Sequence, residues 1–253
     1  GTLATAIISG LVVDHIPITW HIGGLAVFVT LSLTAMIIRL TPVLLKPNED
    51  KEEHLPLRTL ITSFRVDWLI SGGLVCAVFL EFATGDWSAI FAKERIGVSS
   101  GMAALPYVVF MTAMIIGRLN AGSIAKRFQV DQTVRLFALI GGGGFLFFLA
   151  IAVQIPAEHK TLAFVTTCIA FTFAGMGSSL MAPSFYTAGN QRSPLPSAVV
   201  VGQIGVVNMI AIFILKASIA WTAQFTGSLA IALTIPALML MSTAFFARAL
   251  KAS

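Results

Sequence analysis

Apolar stretches about 20 residues long, following one another with only short polar breaks, leave a chain few folds to choose from. Here they run roughly over 21–40, 66–91, 101–119, 134–155, 161–182, 197–220 and 225–250. Each is long enough to cross a ~30 Å hydrocarbon layer at ~1.5 Å rise per residue. Inside such a layer every backbone N–H and C=O must find its partner within the protein, so spans of this length are helices. At 57% hydrophobic and 11% charged residues, the chain is too apolar for an ordinary soluble domain. It is expected to be an all-α integral membrane protein. Residues 1–13 are apolar and small but too few to span before Asp14 and His15 interrupt them, and they read as the tail of a helix already under way.

One break orients the rest. Residues 117–128, GRLNAGSIAKRF, close one span and precede another, and Arg118, Lys126, Arg127 and Arg135 cluster there. Short basic loops stay in the cytosol, so this stretch is expected to be a cytosolic turn. Alternation then places the segment after residue 45, the loop 186–196 and the C-terminus on the same side. Of the 16 lysines and arginines, only Lys93, Arg95, Lys160 and Lys216 fall on the other. The net charge of +5 therefore reads as membrane topology. It does not read as a nucleic-acid surface, because the basic residues are spread over short loops.

The most polar segment is KPNEDKEEHLPLR, 46–58. Its prolines, mixed charges and lack of apolar periodicity mark a solvated linker over 46–65, with a short interfacial helix expected over 57–64. It divides the chain into 1–45 and 66–253.

Two motifs carry a resemblance. Gly117, Arg118, Gly122, Arg127 and Phe128 resemble the loop motif that follows the second helix of each six-helix half in the major facilitator superfamily; Ser123 stands where that motif has Asp, and Gln129 where it has Gly. Glu81, Ala83, Asp86, Trp87 and Ser88, in EFATGDWSAIF, resemble a signature of a bacterial branch near the fucose-type sugar permeases, with Phe82 in place of Gly. The run 182–190 echoes the same branch. The resemblance implies an MFS-type bundle of about eight transmembrane helices, corresponding to helices 5 to 12 of a twelve-helix fold. Residues 1–45 would then be the last two helices of the N-terminal bundle, and 66–253 the complete C-terminal one. It further implies a multi-pass protein of the bacterial inner membrane with a cytosolic C-terminus. The implied partners are the lipid bilayer, a small-molecule substrate, a proton, and the first four helices of the same polypeptide.

Among individual residues, Glu81 is the sharpest signal. It lies ~21 Å along its helix from Asp67, where a bare charge is costly, so it must be sheltered, protonated or paired. It either serves a cavity or proton coupling, or is one half of a structural hydrogen-bonded pair. Asp86 lies nearer the outer interface, where capping a helix end and transport are equally open. Asn208, about 16 Å from Ser197, and Thr172, at similar depth from Thr161, fall near the midplane; Gln203 is shallower. These either line a polar cavity or bridge packed helices. Lys216 is expected to snorkel to the outer interface. The run Gly141–Gly144 lacks the Lys-Ser or Lys-Thr of a phosphate loop and lies in an apolar span, so it is expected to serve close helix packing. Cys76 and Cys168 are expected to be packing residues. The histidines are scattered without metal-ligand spacing. No metal, cofactor or catalytic residue is predicted.

The function these features favour is secondary active transport of a small solute, coupled to protons. A membrane enzyme would need an acid–base pair, metal cluster or nucleophile grouped at one depth. The competing reading is a structural or regulatory membrane subunit, which has no use for polar residues at the midplane.

Overall fold

The computed structural model describes residues 2–44 and 64–251, and among these every regular element is helical. In order they are α1 (Thr2–Val12), α2 (Ile18–Leu44), α3 (Trp68–Phe91), α4 (Ser100–Ala103), α5 (Leu105–Arg127), α6 (Val130–Gln154), α7 (Lys160–Ser178), α8 (Met181–Arg192), α9 (Ser197–Thr226), α10 (Leu229–Ala232) and α11 (Thr234–Phe246). A π-helical turn at Ala92–Ile96 extends α3. Seven helical stretches are long and apolar enough to cross a membrane, and they coincide with the seven apolar runs of the sequence. The fold is a membrane helical bundle. Residues 46–63 of the expected linker, and with them all but the last residue of the expected interfacial helix, lie outside the described residues; Phe64 itself is not helical.

Local chemistry sets the ends. Asp67 caps α3, its Oδ1 accepting from the backbone N–H of Leu69 (3.1 Å) and Ile70 (3.2 Å). That satisfies donors which the first turn of a helix otherwise leaves open. Ser99 caps α4 and Ser228 caps α10 in the same way. The far ends of the α3 extension and of α9 stop at Gly97 (φ 74°) and Gly227 (φ 63°). Both glycines adopt the left-handed conformation that terminates helices and that side chains resist. Within the spans, hydroxyls return to their own helix: Thr84 donates to Leu80 O at 2.7 Å and Thr167 to Ala163 O at 2.8 Å. These two threonines reach the interior with their hydroxyls satisfied, whereas Ser88 Oγ and Ser178 Oγ are buried without a partner among the described residues.

Two expected boundaries shift. The stretch 117–128 is not a turn: α5 runs through to Arg127, and the chain reverses only at Phe128 and Gln129. Likewise the expected loop 186–196 is helical to Arg192, leaving Ser193–Pro196 as the connection. In both cases polar residues mark the ends of helices that project further than the apolar run itself.

At the centre stand α3 and α7, the most enclosed spans, around buried Phe79, Phe110, Phe145, Phe171 and Phe185. Phe145 meets Phe171 edge to face, with centroids 5.2 Å apart. Glycines let the backbones close in. A Cβ on Gly141 would collide with Gly177 Cα, one on Gly175 with Phe110 O, and one on Gly142 would lie 2.5 Å from Met241 Cγ. Gly141, Gly142 and Gly144 of the run thus serve packing of α6 against α7 and α11, while Gly143 meets nothing. By contrast α2 has no buried residue in its membrane window. The N-terminal pair meets the rest where α1 crosses α4 and α5. There Asp14 Oδ2 accepts from Gly101 N–H at 2.9 Å, and a Cβ on Gly10 would come within 3.2 Å of Gly101 O.

Candidate functional site: paired charges inside the bundle

Three ion pairs radiate from α3 to three other helices, stacked along its length. At its start, Asp67 Oδ2 meets Arg192 Nε of α8 at 2.8 Å. About 21 Å further along, Glu81 Oε2 meets Arg118 Nη2 of α5 at 3.5 Å. At ~28 Å, Asp86 Oδ2 meets Lys216 Nζ of α9 at 2.7 Å. Lys216 lies at a matching depth, ~28 Å from Ser197 on α9, and its ammonium also stands 5.5 Å from the centroid of the Phe82 ring. The Glu81 pair therefore sits at a depth where an isolated charge would be expensive and a paired one is tolerated, whereas the Asp86 pair stands near the far end of a ~30 Å crossing.

This placement revises two expectations. Arg118 does not belong to a loop; it lies ~14 Å back from the end of α5, facing the carboxylate of α3. Its positive charge resembled the end of a span, but Glu81 neutralises it and the helix continues. Asp86 caps no helix end, because α3 runs past it. Lys216, as far along α9 as the expected outer interface, is held there by Asp86 and Phe82. In a single sequence the signal for these pairs is weak: Glu81 and Arg118 are 37 residues apart. The two residues would have to be matched by depth.

The inner pairs are not sealed. Side-chain exposure is 29% for Glu81, 41% for Arg118, 43% for Asp86 and 37% for Lys216. None of the four side chains is fully enclosed by the described helices, and Tyr107 of α5 lies within electrostatic range of Glu81.

The remaining candidates are dispersed. Gln203 lines a cavity of about 590 Å³ at the beginning of α3, with Arg65, Asp67, Arg192 and Ser193. Asn208 is buried on α9 at 3% exposure, and its Oδ1 accepts no hydrogen bond from the described residues. Thr172 stands apart from the charges. It lines an apolar groove of about 380 Å³ between α6 and α7, with Phe137, Ile140 and Met176, and its hydroxyl donates to Cys168 O at 2.9 Å. The motif residues also separate. Gly117 packs on Ser179, Gly122 lines a cavity of about 400 Å³ with Thr133, Pro183 and Thr187, and Arg127 is exposed at the end of α5. Cys76 and Cys168 are free thiols. No group of three or more His, Cys, Asp or Glu that could hold a metal occurs among the described residues.

Comparison with known proteins gives two findings. The family model of the Major Facilitator Superfamily matches residues 1–216. A protein of Yersinia pestis described as an uncharacterized MFS-type transporter is 31% identical over 184 residues, 72% of this chain and 45% of that protein. The chain thus spans about half the length of the curated relative it matches.

Proposed function

The chain belongs to the Major Facilitator Superfamily, and from that premise we propose that it forms the larger part of a secondary transporter that moves a small solute by alternating access, coupled to protons through Glu81. In this reading residues 66–253 are one complete six-helix bundle. Residues 1–45 are the last two helices of the other, and the remaining helices of that bundle belong to the same polypeptide. The protein sits in the bacterial inner membrane with the start of α3, Arg192 and the C-terminus in the cytosol. Gln203, on the cytosolic approach, and Asn208, deeper on α9, extend the polar path from Glu81 and Asp86. Thr172 stays with lipid-facing packing.

The observation that carries the proposal is the Glu81–Arg118 pair. A structural ion pair at this depth favours short contacts and full burial, since desolvated charges gain only from good geometry. This one is a single 3.5 Å contact, and both side chains are partly open. A carboxylate so loosely held can exchange its arginine for a proton at modest cost, and the exchange changes the charge of the cavity. Alternating access needs such a difference between states.

The test replaces Glu81 with Gln, which keeps the shape and one acceptor but cannot titrate. In proteoliposomes made with the product of the intact gene, solute exchange down a gradient should persist. Accumulation driven by a proton gradient should be lost. Full proton-driven accumulation by Glu81→Gln would reject Glu81 as the coupling group.

A further inference from the structure

The two intramembrane cations are held very differently. Lys216 is committed, with a carboxylate oxygen at 2.7 Å and an aromatic face at 5.5 Å. Arg118 touches one oxygen, at 3.5 Å, and makes no second hydrogen bond among the described residues. A guanidinium presents five N–H donors in a planar fork, and in a low-dielectric setting unsatisfied donors of a charged group are costly. Arg118 is nevertheless 41% exposed as a side chain, so the described helices do not enclose it.

We propose that Arg118 is the substrate-anchoring residue, and that the transported solute is a small organic carboxylate which takes the guanidinium fork bidentately in competition with Glu81. This rests on the transporter reading and specifies its substrate class. A carboxylate is the ligand of choice because Glu81 already places one at the fork, in a contact too long to use it fully. A bidentate carboxylate satisfies two parallel N–H donors at about 2.8 Å each. The solute therefore completes what Glu81 leaves open. Lys216 supplies no such fork, being a point charge already paired with Asp86.

The competition fixes the sign of the test. The product of the intact gene, purified in detergent, is titrated with lactate, succinate and citrate, with inorganic phosphate, glucose and choline as the other arms. Binding is read by tryptophan fluorescence and by thermal shift. At least one carboxylate is expected to bind. Arg118→Lys keeps the charge but loses the fork, and should weaken carboxylate binding at least tenfold. Glu81→Gln removes the competitor and should tighten it severalfold. A merely structural pair predicts the opposite, because breaking it would loosen the site for every ligand.

Binding of phosphate, glucose or choline in place of all three carboxylates overturns the proposal, as does failure of all six probes to bind. Unchanged carboxylate affinity in Arg118→Lys, or weaker affinity in Glu81→Gln, overturns it too. Counterflow of the bound carboxylate is measured separately in proteoliposomes. Arg118-dependent binding without counterflow would sink the transporter reading and leave the binding site standing.

Discussion

Asp67 divides its carboxylate between two tasks: Oδ1 accepts from the backbone N–H of Leu69 and Ile70, while Oδ2 pairs with Arg192 Nε at 2.8 Å, 125 residues away. One side chain therefore both starts α3 and fastens the end of α8 beside it. The two contributions separate by substitution. Asp67→Asn keeps an acceptor for the cap and weakens the pair, which is worth no more than ~1 kcal/mol because both partners are more than a third exposed. Asp67→Ala also loses the cap, a further ~1 kcal/mol. Thermal unfolding in detergent should rank wild type above Asn above Ala. Equal midpoints for Asn and Ala would show that the cap contributes nothing.

A second prediction concerns two neighbouring glycines with opposite surroundings. A methyl group on Gly141 runs into the backbone of Gly177, whereas one on Gly143 meets nothing within 4 Å. Gly141→Ala should therefore force α6 from α7 and cost on the order of 1–3 kcal/mol, as overpacking does. Gly143→Ala should be neutral, or stabilising by up to ~1 kcal/mol through its better helix propensity. Monodispersity and melting midpoint of the two variants give the comparison. Equal tolerance at both positions would contradict the close backbone approach.

The third prediction uses the Asp86–Lys216 pair. Removing one partner leaves an uncompensated charge ~28 Å along its helix, and removing both leaves none. Asp86→Asn and Lys216→Met alone should each lower the yield of folded protein, and the double variant should recover most of it. A double variant as poor as the worse single one would mean that the two side chains act independently. The coupling, which is the departure from additivity, is the quantity to report.

The membrane-bundle class and seven spans were legible because bilayer thickness acts directly on sequence, as unbroken apolar length. Helix ends were less legible. Arg118, Asn120 and Ser123 made α5 look finished near 119, yet Asn120 turns its amide back to Ile116 O at 2.8 Å and Arg118 finds Glu81, so the helix carries its polar residues onward. The site was half legible for the same reason. Glu81 stood out by its depth along one helix, and a lone acid in lipid advertises a partner without saying which. Its partner was visible only once α3 and α5 lay side by side, because pairing between helices has no short-range signature. Thr172 matched Asn208 in depth but not in azimuth, and depth alone cannot tell a cavity face from a lipid face.

The crossing of α1 with α4 is a narrow joint. Among the described residues, α2 joins the remainder chiefly through α1, to which His21 is tied by a 3.1 Å hydrogen bond with Ser9. Among the described residues the contact there rests on Gly10, Gly101 and the single acceptor of Asp14. Any side chain added at Gly101 would meet Gly10 O at 2.5 Å and Asp14 Oδ2 at 2.7 Å, so two glycines and one carboxylate decide how near α1 comes to the six-helix part.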